Sequence, residues 1–116
     1  MASAMRWTFV LDPAGGWSAR RRPATDANLV VAAELFADEV GTLERLGRFT
    51  EAWVAGAATD PNFSAGCEAV VFTLVDSVVV RTEARYGHFE AAELSLTDFR
   101  AMLDGLHRAV RGNAEG

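Results

Sequence analysis

The stretch Val78–Val110, VVVRTEARYGHFEAAELSLTDFRAMLDGLHRAV, constrains the fold of this chain more than any other. It opens with strand-like alternation. Val78, Val80, Thr82 and Ala84 face one way, and Val79, Arg81, Glu83 and Arg85 the other. Tyr86-Gly87-His88 forms a turn, and Phe89–Leu94 reads as a returning strand. Ser95 then caps a helix, with Asp98 three residues on in a variant of the capping box. Leu96, Phe99, Met102, Leu103, Leu106 and Val110 make one apolar stripe along it. Gly112 stands where a C-terminal cap belongs, with Asn113–Gly116 as a frayed tail. A strand hairpin that runs straight into an amphipathic helix buries its apolar faces most economically in an α+β domain.

The preceding segment supplies the hairpin's first strand. Glu68–Val75 is an almost continuous β-branched and aromatic run, which suits a central strand. Asp76-Ser77 joins it to the next strand, so the pair is antiparallel. Further upstream, Arg6–Leu11 alternates and reads as a strand. Asp12-Pro13-Ala14-Gly15-Gly16 is turn chemistry, and Trp17–Arg22 reads as the returning strand. Pro23 ends it.

Thr25 or Asp26 caps a helix expected over about 26–46, whose stripe is Leu29, Ala33, Phe36, Val40 and Leu43. Glu34, Asp38, Glu39 and Glu44 are placed mostly on its solvent side. Arg48–Val54 continues the helix past Gly47 or forms a separate short one. Ala55–Gly66 reads as a loop. The expected order is β-β-α-(α)-β-β-β-α: one mostly antiparallel sheet of about five strands, with helices over one face and the other partly open, in a single domain over residues 1–116.

At 116 residues the chain holds one ordinary domain's worth of core. No apolar run approaches the length of a membrane span. The N-terminus lacks a signal peptide's apolar centre and reads as a mature cytoplasmic start, with Met5 as a second candidate start. All 11 basic residues are arginine, against 16 acidic ones, for a net charge of −5. That balance argues against a general nucleic-acid binder.

Chemistry-bearing patterns are sparse. Cys67 is the only cysteine, without a zinc-type neighbour, and reads as a structural thiol. His88 lies in a turn and His107 beside the last helix's stripe, and neither has a nucleophile signature nearby. No phosphate-binding loop, calcium loop or paired metal motif occurs. Neither a catalytic residue nor a cofactor or metal ligand is expected. Arg20-Arg21-Arg22 alternates across its strand, with Arg20 and Arg22 on one face. It reads either as an anion or acidic-partner contact or, preferentially, as a charged edge strand. Arg81, Glu83 and Arg85, with Tyr86 and His88 at their end, form a charged strip. It is either a ladder of exposed ion pairs or a protein-recognition surface.

The cadence of charged strand, turn, short strand and LSLTDFRAMLDGL resembles the end of small immunity-type proteins that accompany bacterial polymorphic toxins and contact-dependent inhibitors. The likeness covers about the last third of the chain. It implies a cytoplasmic inhibitor that binds one cognate toxin and performs no chemistry, and the acidic charge suits a basic toxin. Arg81, Glu83, Arg85, Tyr86 and His88 are the expected partner-binding residues. A homodimer or other oligomer closing over the open sheet face is the alternative, and a ligand-binding domain or enzyme using a cavity near His88, Glu83 and Tyr86 is a third.

Overall fold

The computed structural model describes residues 5–115. Residues 1–4, which precede the second candidate start at Met5, fall outside them. The chain is α+β, in the order β1 (Arg6–Leu11), β2 (Trp17–Arg22), α1 (Ala27–Val40), α2 (Leu43–Thr59), β3 (Ser64–Gly66), β4 (Val70–Val75), β5 (Val79–Ala84), β6 (Ala92–Ser95) and α3 (Leu96–Glu115). Among the described residues the strands form two antiparallel sheets, a β1–β2 ribbon and a four-stranded sheet ordered β3-β4-β5-β6. The single five-stranded sheet expected from the sequence is thereby corrected. The first hairpin does not extend the main sheet; it packs on α1 and α3 instead.

Alternation fixes the inner faces. Trp7, Phe9 and Trp17 point inward from the ribbon, and Val70, Phe72, Leu74, Val80, Thr82 and Leu94 from the sheet. They join the helical stripes in one core, centred on an aromatic cluster. Phe72 meets Phe36 at 5.2 Å and Phe99 at 4.8 Å between ring centroids, and Trp53 meets Phe99 at 4.6 Å. Such tilted and edge-on pairs add to the area they bury.

The expected long helix is two helices. Asp26 caps α1 by accepting from the Asn28 amide at 2.8 Å. The helix stops at Gly41, where a side chain would collide with the Trp17 indole. Thr42 then caps α2, its hydroxyl accepting from the Arg45 amide. The apolar stripe hid this break, because Leu43 continues it by spacing but stands 49% exposed. Alanine propensity carries α2 to Thr59, through the segment expected to be loop, until Pro61 forces Asp60 into extended backbone. Beyond it lies β3, short and absent from the expected order. It pairs with β4 from Ser64↔Thr73 to Gly66↔Val71.

The β4–β5 hairpin turns at Asp76 and Ser77, both left-handed at φ 49° and 63°. The turn is braced from below, since the Ser77 amide donates to the Pro61 carbonyl at 3.0 Å. Strand β6 begins at Ala92 rather than Phe89. Ser95 caps α3 as expected, accepting from the Asp98 amide at 3.0 Å. The helix runs on through Gly112, which therefore is no cap.

Candidate functional site: two solvent-facing strand surfaces

Two strand surfaces face solvent, and they differ in chemistry. The first is the outer side of the four-stranded sheet. Val71, Thr73 and Val75 of β4 and Val79, Arg81 and Glu83 of β5 lie there, beside Ser64 of β3 and Glu93 of β6. Its polar groups answer one another. Arg81 Nε pairs with Glu83 Oε1 at 3.5 Å, and Arg81 also stands opposite Glu93 in the ladder. The Ser64 and Thr73 hydroxyls share a hydrogen bond at 3.1 Å.

The structure brings only part of the expected set together here. Arg85 lies beyond the end of β5. Its Nε donates to the Cys67 carbonyl at 2.9 Å and its amide to the Ala69 carbonyl at 3.0 Å, so it closes the β3–β4 connection. Tyr86 is 65% exposed and His88 is exposed, on the irregular segment between β5 and β6. Phe89 follows them into the core. Burial raises the Cys67 thiol pKa above its ordinary value, with two backbone hydrogen bonds opposing, which suits an inert thiol.

The second surface is the outer side of the ribbon. Arg6, Thr8 and Val10 of β1 face outward opposite Arg22, Arg20 and Ser18 of β2. These six side chains border a hollow of about 660 Å³. Among the described residues none of the three arginines has an ion-pair partner. The sequence showed the alternation of Arg20 and Arg22 but not their neighbour. A signal for it was present, since matching the strand ends across the loop, Leu11 to Trp17, sets Arg6 opposite Arg22.

Arg21 turns inward and shows what a satisfied arginine looks like here. Its Nε and Nη2 reach Asp98 at about 3.0 Å, with the Arg21 side chain 12% exposed and that of Asp98 6%. Asp98 also accepts from the Trp7 indole at 2.8 Å. The Asp98 carboxylate thus binds both ribbon strands to α3 instead of completing a capping box. Gly105 allows the close approach: a Cβ there would lie 2.5 Å from the Trp7 carbonyl oxygen.

The acidic residues of α1, expected to be solvated, also hold backbone. Asp38 accepts from the Trp17 amide and Glu34 from the Ala19 amide, both at 2.8 Å, closing the free edge of β2. Glu39 accepts from the Glu68 and Ala69 amides, each at 2.8 Å.

Between α2 and α3 lies an apolar cleft of about 490 Å³, walled by Trp53, Val54, Ala57, Leu96 and Leu103. The Trp53 indole N–H is buried without a partner among the described residues. At the cleft's outer end His107 Nε2 and the Thr50 hydroxyl are 2.9 Å apart. Burial, and then the charge of Arg111, lower the His107 pKa. Among the described residues no three His, Cys, Asp or Glu side chains gather in a metal-binding arrangement, and no helix is long and apolar enough to cross a membrane. No family model, curated protein or solved structure matches the chain.

Proposed function

We propose that the protein is a non-catalytic binding domain that docks a protein partner on the open face of its four-stranded sheet. The observation that carries this reading is the asymmetry of that sheet. Its inner face is sealed by the helices, while its outer face leaves half-buried Val71, Val75 and Val79 beside Arg81 and Glu83. Tyr86 projects from the chain just beyond β5. Half-covered aliphatics with arginine and tyrosine alongside are the composition of a protein-binding surface. Arg81, Glu83, Tyr86 and His88 form the contact, and Arg85 supports it from within.

The likeness of residues 78–110 to immunity-type proteins supports a more specific role. In that role the domain acts in the cytoplasm as an inhibitor that occludes a cognate bacterial toxin. The net charge of −5 suits a basic toxin domain, with long-range attraction speeding the encounter.

The test is affinity capture from the host lysate with tagged wild type and with Tyr86→Ala and Arg81→Glu variants. A stoichiometric partner that is held by wild type and released by both variants, each still melting in one cooperative transition, is the expected result. A partner held equally by all three removes the sheet face from the contact. Recovery of the protein's own copies alone supports self-association in place of a heterologous partner.

A further inference from the structure

The outer face of the ribbon concentrates cations without neutralising them. Directly opposed side chains on antiparallel strands have Cβ atoms about 5 Å apart, and like charges at that distance destabilise the pair. Arg6 and Arg22 occupy such a position. Arg20 lies one step along the same face, opposite Thr8 and diagonal to Arg6. The chain has 16 acidic residues to place against 11 basic ones, yet none stands among these three. Solubility does not account for the arrangement, because one acidic residue at position 6 or 22 would keep the surface charged and turn the directly opposed repulsion into an attraction. Arg108 of α3 reinforces it from the side, since with Arg6 and Thr8 it borders an adjoining hollow of about 270 Å³.

We propose that this face is a binding site for a small ligand bearing a di- or triphosphate group. A guanidinium presents a planar fork that a carboxylate engages through two parallel hydrogen bonds. A lone carboxylate would therefore leave two of the three forks unanswered. A phosphate group carries a charge of about −1.5 to −2 and three acceptor oxygens, so two linked phosphates balance three arginines and accept from several forks at once. The Thr8 and Ser18 hydroxyls supply neutral donors on the same face. The hollow, about 660 Å³, lies within the range of small-molecule sites, about 300–1,000 Å³. At its far end Val10 is 60% exposed and gives the rest of the ligand an apolar surface. The overall negative charge disfavours a long nucleic acid, which would extend over the acidic remainder of the surface.

The experiment is isothermal titration of the full chain at low ionic strength with inorganic tripolyphosphate, ATP and citrate. Wild type is expected to bind tripolyphosphate, with affinity falling as salt is added. Arg6→Gln with Arg22→Gln should weaken binding by about tenfold or more. The same double variant, without ligand, should melt at or above the wild-type temperature, because the like-charge repulsion is gone. Arg48→Gln, at a distant pair with Glu44, should bind as wild type does. ATP binding more tightly than tripolyphosphate places the phosphates on a nucleoside, and equal binding makes the phosphate chain itself the recognised group; both outcomes uphold the site. The assignment is overturned if tripolyphosphate fails to bind at millimolar concentration, if citrate binds as well, or if the double variant retains wild-type affinity.

Discussion

The ribbon and the four-stranded sheet are both antiparallel and both show one face to solvent, but they are held and charged in opposite ways. The sheet is secured by its own ladder and by the apolar residues beneath it, and its outer Arg81 pairs with Glu83 along the strand and stands opposite Glu93. The ribbon has only two strands. It depends on side chains from elsewhere: Glu34 and Asp38 along its edge, and Asp98 under its inner face. Among the described residues its outer arginines have no ion-pair partner. A strand surface whose charges already cancel is explained by solubility alone, whereas one that repels itself points to something outside the chain. The ribbon therefore makes the stronger case for a charged ligand, and the sheet for a broad and nearly neutral contact.

The comparison breaks first at Asp98. Asp98→Ala leaves the mostly buried Arg21 guanidinium without its carboxylate, with only the Pro23 carbonyl still accepting from it, and the buried Trp7 indole N–H without an acceptor, which should cost about 3–5 kcal/mol in urea unfolding. Asp98→Asn keeps an acceptor for Trp7 and should cost less. If both variants unfold like wild type, the ribbon is not moored by this carboxylate. An intermediate effect is expected at the ribbon edge. Glu34→Ala and Asp38→Ala each free one backbone amide and should each cost about 1–2 kcal/mol, with amide exchange rising at Ala19 and Trp17 respectively. The smallest effect tests the charges themselves. Arg22→Glu places opposite charges across the ribbon and should raise stability by about 0.5 kcal/mol. Arg81→Glu on the sheet breaks an exposed pair and sets the new carboxylate opposite Glu93, and should lower stability by a similar amount, about 0.5 kcal/mol. Equal signs from these two swaps would dissolve the distinction between the surfaces.

Much of this was legible in the residues. Alternation put Arg20 and Arg22 on one strand face and Arg21 on the other, and Ser95 announced the start of α3. What the sequence hid was set by tertiary fit. At Gly41, where α1 ends, the Trp17 ring leaves no room for a side chain, and nothing near Gly41 in sequence signals that contact. Asp38 and Glu39 looked solvated because a carboxylate on a helix rim usually is. Their backbone partners lie 21 and 29 or 30 residues away, respectively. Arg81 and Arg85 looked alike on one strand face, but β5 ends before Arg85, and its guanidinium became a tether.

The position of Asp98 in the chain also bears on synthesis. It lies 77 residues beyond Arg21 and 91 beyond Trp7, the two groups it satisfies. On a ribosome the first hairpin emerges early and then waits for nearly the whole remaining chain before its carboxylate arrives. Any product cut short ahead of α3 lacks the carboxylate that Arg21 and the Trp7 indole share, so its first hairpin cannot be moored as it is in the longer chain.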